Sequence, residues 1–481
     1  MKEEGTQMEA DTIITSEGYK ENPDLLPLRP EQKTLGSLTF TLMMFSLNTA
    51  IPMFFLGPIG AQLGLSLSQA LVGAFVGNLA AVVAIYLNGI PGVKYGISYP
   101  VQLRESFGFK GTQLPVVMRG ISGIVWFGIE AYVGSLALMM IIFAAAGVSK
   151  DSVTPMAIRY LIIALFFYLG SFVIVMRYGL KAIGKVANIA GPLMLLYFIW
   201  LVYFLWRSPE FEANIPNLYK STAGYFSLSF LIYLAVQTNW WATIAANISD
   251  LSRGINSKSP QALGIAVFFG VVICQVVGTG LGYTAATLTG VVLPQEIIVK
   301  FAPGVLGVGL GLIFAFVGPW TTDLTANAPA AIDILMSTFK LRWKTAVIGA
   351  GVIAFFAAPW WAIASGPAIV QYVTNWASNY GILIGPFTGI MIGNYWWLRK
   401  QNYDLKKLYT YGPNGCWYAG GWGKAAYITL ILTWVACYII AIPTGQMQYV
   451  SGFPFPGGVT WYFAVVISLI CYPLLAKRFN E

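Results

Sequence analysis

The chain has 481 residues, 57 % of them hydrophobic and only 10 % charged, where a soluble domain averages about 25 % charged residues. A surface so poor in charge cannot be wetted all round, which excludes an ordinary soluble domain and leaves an integral membrane protein. Histidine is absent and the net charge is +9; the first excludes His-ligated metal centres, histidine-based triads and histidine proton relays, and the second raises the question of a polyanion partner.

Residues 1–34 are polar and mostly acidic. They lack the basic n-region and apolar h-region of a cleaved signal, and read as a flexible cytoplasmic tail. Beyond them run continuous apolar stretches of the ~20 residues that a spanning helix needs. Their centres fall near Phe45, Val82, Ile129, Leu165, Leu195, Val236, Val271, Val317, Ile353, Ile384, Leu430 and Val466. Spanning β-strands would instead alternate in ~10-residue segments, so the predicted fold class is an all-α membrane protein with twelve transmembrane helices.

The first stretch carries Ser46, Asn48 and Thr49 ahead of Pro52, which lacks an N–H and strains the turn before it. The sixth carries Gln237, Thr238 and Asn239 near mid-membrane. Irregular backbone at that depth is tolerated only where it is buried in protein or lines a cavity. Breaks at corresponding places in two helices therefore point to a transporter site. The plainer alternative is a pair of kinks whose polar side chains bond the backbone.

With the tail placed in the cytoplasm, only Lys150, Arg159, Arg207, Lys220 and Lys300 fall in outer loops; every other one of the 28 basic residues, Arg104, Arg119 and Lys258 among them, falls inside. That asymmetry is the positive-inside pattern. It accounts for the net charge without nucleic acid and puts both termini in the cytoplasm. The four cysteines, Cys274, Cys416, Cys437 and Cys471, form no C-x-x-C pair and read as small buried hydrophobes.

Two carboxylates lie deep in apolar stretches: Glu130 in the third and Asp323 in the eighth. A charge at the bilayer centre costs about 2.5–3.5 kcal/mol, so each calls for an internal cavity or a ligand; the alternative is a protonated carboxyl bonded to a neighbouring helix. Trp126 and Glu130 are four apart and share a helix face. An indole beside a carboxylate suits a flat heterocycle bearing N–H groups, and Trp240 and Trp241 can supply an opposing platform. An interfacial belt explains Trp360 and Trp361 but not Trp126 and Trp241, which lie inside their stretches. Thr321 and Thr322 offer hydroxyl oxygens, which hard cations accept as ligands. With Asp323 and Asn327 beside them, they suggest a joint site for a cation and a solute.

Several blocks occur in order: GLSLSQA (64–70), KYGISYPVQLRESFGFKGTQLPVVMRG (94–120), WFGIEAYVG (126–134), WWATIAANISDLSR (240–253), TTDLTAN (321–327) and GPFTGIMIGNYWWLRK (385–400). Together, from about 35 to 408, they resemble the nucleobase:cation symport-1 family, carriers of nucleobases, allantoin, hydantoins and related compounds. The resemblance implies ten core helices in a five-plus-five inverted repeat with broken first and sixth helices, plus two C-terminal helices. It implies that Trp126 and Trp241 sandwich the solute ring, that Asn327 bonds it, and that Glu130, Asp323, Ala50 and Trp240 complete the solute site. A sodium site would use main-chain carbonyls near Ser46, Thr49 and Gly318 with the hydroxyls of Thr321 and Thr322. Three positions depart from the family pattern: Glu130 replaces a glutamine, Asp323 an asparagine, and Asn394 an aspartate. Ionised glutamate only accepts hydrogen bonds, so Glu130 favours a solute with paired N–H donors or a positive charge, unless Glu130 or Asp323 carries a coupling proton.

The expected organisation is a tail (1–34), a ten-helix transport core (35–400), a cytoplasmic loop (401–425) and two peripheral helices (426–478). The expected function is symport of a nucleobase, N-heterocycle or ureide with Na+ or H+ across the cell membrane by a monomer, without an organic cofactor or enzymatic chemistry. The alternative is an amino-acid or cationic-solute symporter of the same fold. A hydrolase would need a nucleophile–base pair or metal centre, which the absence of histidine disfavours.

Overall fold

The computed structural model describes residues 21–256, 261–291, 294–360, 376, 380–441 and 459–481. Residues 1–20, Lys258, Trp361 and the 442–458 part of the C-terminal region lie outside them. Pro52 sets the first feature of the fold. Its ring cannot donate to the carbonyl of Asn48, four residues back, and would collide with it. Helix α1 (Ser37–Asn48) accordingly stops there, Thr49 and Ala50 turn away with ψ of 38° and 152°, and α2 (Ile51–Gln62) restarts at 58° to α1.

The remaining helices follow the apolar stretches. Helix α3 (Leu67–Tyr95) opens on a capping box, Ser66 with Gln69, which satisfies otherwise orphaned N–H groups. It closes on Gly96 at φ 70°, a left-handed conformation that suits glycine. Then come α4 (Gln113–Ala145), α5 (Lys150–Met176), α6 (Leu180–Trp206), α7 (Leu228–Asn247), α8 (Gln261–Thr289), α9 (Gly304–Ser337), α10 (Trp343–Ala357), α11 (Gly381–Ile392), α12 (Lys424–Ala441) and α13 (Thr460–Phe479). All twelve centres read from the sequence fall inside these helices. Seven of the described helices are long and apolar enough to cross a membrane, eight with the bent α1–α2 pair. The described residues are helical, with isolated bridges and no strand. Phe166, Phe167, Ile189 and Val305 are more than half exposed on the outer surface, as lipid-facing residues should be. The protein is a multi-pass helical membrane protein.

The expected break in the sixth stretch is not found: α7 runs unbroken through Gln237, Thr238 and Asn239. No proline or glycine interrupts it there, and its polar side chains find partners sideways. Thr238 Oγ1 donates to the carbonyl of Gly77 on α3 at 2.7 Å. Gln237 Nε2 donates to the Tyr233 hydroxyl at 2.9 Å, and its carbonyl accepts from Asn78 at 3.2 Å. Polar residues in mid-helix here tie α7 to α3 rather than opening the backbone.

Residues 21–35 also depart from expectation, because they are docked rather than loose. Glu21 pairs with Arg104 at 2.6 Å, both nearly buried. Asn22 Nδ2 donates to the Leu341 carbonyl at 2.8 Å, and Lys33 Nζ to that of Val93 at 2.7 Å. Asp24 accepts from Arg342 Nε and from the Trp343 N–H, both at 2.8 Å. Burial pushes the Asp24 carboxyl up, but the bonds from Arg342 and Trp343 outweigh it and hold the group below the usual carboxylate range.

Candidate functional site

The kink at Pro52 matters because it frees carbonyls. A helix end leaves its last C=O groups without intrahelical partners. Those of Ser46 and Leu47 are met by hydroxyls from α9: Thr321 Oγ1 donates to Ser46 O at 2.9 Å, and Thr322 Oγ1 to Leu47 O at 2.6 Å. Gly318 permits this approach, since a Cβ built on it would lie 2.4 Å from the carbonyl oxygen of Thr49. The Gly318 carbonyl is itself within 3.1 Å of both threonine hydroxyls. The five residues named from the sequence for a cation, Ser46, Thr49, Gly318, Thr321 and Thr322, are thus one cluster. Leu47 joins it through its carbonyl, which no side-chain pattern could announce. The set is neutral oxygen throughout; a hard monovalent cation fits it better than a divalent one, whose charge asks for carboxylates.

Beside the cluster is a cavity of about 30 Å³, walled by Asn48 and Ala50 at the kink, Trp126 and Glu130 of α4, Trp240 and Trp241 of α7, and Thr322 and Asn327 of α9. It has room for a water or two, so a ring enters only if side chains move. Half-buried Trp240 is the nearest candidate: its ring meets Trp126 edge-on, centroids 4.8 Å apart at 62°. Tyr380 stands edge-on to Trp126 on another side, at 6.4 Å and 89°. Glu130 Oε2 and Trp241 Nε1 are buried without hydrogen-bond partners. A buried polar atom left unpaired costs about 1–3 kcal/mol, a penalty that a bound guest with complementary groups would relieve.

Asp323 does not line this cavity. It stands behind Asn327, where its Oδ1 accepts from Asn327 Nδ2 at 2.8 Å and its Oδ2 from the Tyr168 hydroxyl at 2.6 Å. The backbone there is π-helical over Asp323–Asn327. Pro329, which cannot donate to the carbonyl of Thr325, accounts for the widening, and π-turns of this kind recur at functional sites. Asn48, a polar residue of the first stretch, is anchored by a second π-turn, Phe268–Ile273: its Nδ2 donates to the carbonyls of Gly270 and Val271, both at 3.0 Å.

The floor of the cavity is held by a residue that reads from sequence as a loop charge. Arg119 lies in α4 and is fully buried. Its Nε donates to the Thr243 carbonyl at 2.9 Å and to Asn247 Oδ1 at 3.0 Å, and its Nη2 to the Ala326 carbonyl at 2.8 Å. Thr243 and Ala326 are both wall residues. Asn247 is braced in turn by Asp250, 3.0 Å away. Sequence reasoning missed this role, and that of Tyr168, because neither residue type is unusual where it stands.

Comparison with known proteins agrees with this architecture. The profile of a family described as permeases for cytosine/purines, uracil, thiamine and allantoin matches residues 27–463. The chain is 27 % identical to the purine-uracil permease NCS1 of Arabidopsis thaliana, covering 97 % of this chain and 81 % of that one. It is 26 % identical to a putative allantoin permease of Escherichia coli, covering 97 % and 96 %. Among solved structures it resembles Mhp1, a nucleobase-cation-symport-1 family transporter in a closed conformation with bromovinylhydantoin bound, with a TM-score of 0.78 at 19 % identity over 95 % of this chain and 96 % of that one.

Proposed function

The chain belongs to the cytosine/purine, uracil, thiamine and allantoin permeases of the nucleobase:cation symport-1 family, and from that premise we propose that it is a secondary active symporter. It imports a nucleobase or related N-heterocycle or ureide together with Na+ or H+. Twelve spanning helices, the first ten in a five-plus-five inverted repeat, carry it through the cell membrane, with both termini cytoplasmic. Trp126 stacks the ring from one side and Trp240 or Trp241 from the other; Glu130 and Asn327 bond its edge. The solute class rests on the family and on the unpaired acceptor of Glu130 beside an indole.

The observation that carries the coupled reading is the double position of Thr322. Its side chain lines the cavity and also donates to the freed Leu47 carbonyl. A cation taking the place of that hydrogen bond would draw the carbonyls of Ser46, Leu47 and Gly318 and the intact hydroxyls of Thr321 and Thr322 around itself, and would order the kinked α1 end that forms one wall for the solute. Each ligand then raises the other's affinity by the same factor. Alternating access follows from one helical bundle rocking against the other.

The test is uptake by reconstituted protein of purines, uracil, cytosine, allantoin and hydantoin, with sodium and proton gradients imposed separately. Uphill uptake of one of them, abolished by the matching ionophore, is expected. Thr322→Ala should raise the sodium concentration needed for half-maximal uptake about tenfold, equivalent to ~1.4 kcal/mol. Uptake indifferent to sodium in both proteins rejects the sodium assignment. Proton-driven uptake moves the coupling to a carboxyl, for which the unpaired Glu130 is the candidate. Uptake of amino acids alone rejects the solute class.

A further inference from the structure

We propose that Asp323 and Tyr168 clamp the Asn327 amide in one orientation, so that the chamber offers its solute hydrogen-bond acceptors and selects for adjacent N–H donors. The proposal rests on the reading of the chamber as a solute site, and it names the edge of the solute that the site prefers.

Asp323 and Asn327 bracket the π-turn of α9, and their side chains meet at 2.8 Å. Tyr168, reaching across from α5, donates to the other carboxyl oxygen at 2.6 Å. Asp323 and Tyr168 are wholly buried, with 0 % and 1 % exposure, so water does not compete for them. A carboxylate can only accept. The Asn327 amide must therefore turn its NH2 toward Asp323, which commits an N–H donor there and keeps Oδ1 free as an acceptor for the cavity the residue lines. A carboxyl proton on Oδ2, donated to the Tyr168 oxygen, would leave Oδ1 an acceptor still.

Glu130 adds a second acceptor from α4, with Oε2 unpaired. Two acceptors lining one chamber match a solute edge with two neighbouring donors. A ring N–H beside an exocyclic NH2, as in guanine, has such an edge, and so does the N–H pair of a ureide. A solute that presents a carbonyl there would meet oxygen against oxygen. The arrangement also inverts on a change of one atom. With asparagine at 323, the Tyr168 hydroxyl would hold the new amide oxygen and the new NH2 would face Asn327. Asn327 would then rotate and point its own NH2 into the chamber.

The experiment is competition for uptake in proteoliposomes, comparing wild type with Asp323→Asn, the isosteric change. The competitor pairs differ by one donor: guanine with hypoxanthine, and hydantoin with its N-methyl derivatives. In wild type, the donor-rich member of at least one pair should compete at least about tenfold better, the worth of one well-placed hydrogen bond in a buried site. In Asp323→Asn that ratio should fall toward one or reverse, with the quantity of folded protein unchanged. The same ratio in both proteins overturns the clamp and leaves the symporter reading intact. Wild-type protein that accepts none of these compounds, nor uracil, cytosine or allantoin, overturns the symporter reading and the clamp with it; acceptance of one of the latter three with no competition from any compound of the pairs overturns the clamp alone. Should Asp323→Asn not reach the membrane, Tyr168→Phe decides the matter: it frees the carboxyl to turn, the ratio must narrow, and an unchanged ratio refutes the proposal.

Discussion

Replacement of Glu130 by alanine is expected to lower uptake about a hundredfold while leaving the protein as stable as before, or slightly more so. The two effects come from one fact: Glu130 is 2 % exposed, yet Oε2 has no partner. In the empty chamber this group is a burden, since an unsatisfied buried acceptor costs about 1–3 kcal/mol. In the occupied chamber it bonds the solute, and a hydrogen bond contributes about 0.5–1.5 kcal/mol net, with about 1–3 kcal/mol more when its loss strands a buried partner. Losing that bond, with its donor on the solute left stranded, is about a factor of 10². Functional sites commonly carry this trade between activity and stability. The check pairs uptake with thermal unfolding of purified protein, with and without solute. A variant that melts well below wild type would make Glu130 a structural residue; unchanged uptake would remove it from the site.

Arg119→Lys is expected to reach the membrane but to transport at least about tenfold less, by loss of solute affinity rather than of folded protein. The planar guanidinium spreads its bonds over the Thr243 and Ala326 carbonyls and the Asn247 amide oxygen, which belong to α7 and α9. Lysine keeps the charge but concentrates its donors at one point on a flexible stem, and so cannot span the three acceptors. The two cavity-lining residues lose their common anchor, and misplacement of binding groups by about 1 Å can cost as much as a hundredfold. Arg119→Ala goes further: it leaves a void and several buried acceptors unpaired, and should lower stability by roughly 2–4 kcal/mol. Measuring membrane abundance, melting temperature and concentration-dependent uptake for both variants separates the effects. Wild-type affinity in Arg119→Lys would show that the arginine only fills space.

The helices themselves were plain in the sequence, since a lipid-facing helix must be apolar along its whole length and nothing in a loop imitates that. The kink after Asn48 was equally legible, because Pro52 removes a donor whatever surrounds it. The sixth stretch was misjudged for the opposite reason. Gln237, Thr238 and Asn239 look like a breach in the membrane until Gly77, Asn78 and Tyr233 are seen to meet the first two of them, and those partners are distant in sequence or indistinguishable from packing residues. Arg119 was hidden by its address, at the cytoplasmic edge where most arginines are topological. Tyr168 is one tyrosine among 26 and gains meaning only from Asp323 opposite. Asp323 itself was rightly singled out as a costly buried carboxylate, yet its place is behind Asn327 rather than on the wall. Sequence finds groups that are expensive to bury; which of them faces the guest is decided by the fold.

The central claim is that α4, α7, α9 and the kinked α1–α2 pair aim their polar groups at one shared chamber that takes a flat, donor-rich solute. An experimental structure with the best-transported compound bound tests this most directly. Its ring is expected against Trp126, with Trp240 displaced from its present edge-on contact and with N–H groups directed at Glu130 and Asn327 Oδ1. A compound bound outside this chamber, or seated there with carbonyl oxygens directed at those two side chains, would contradict it.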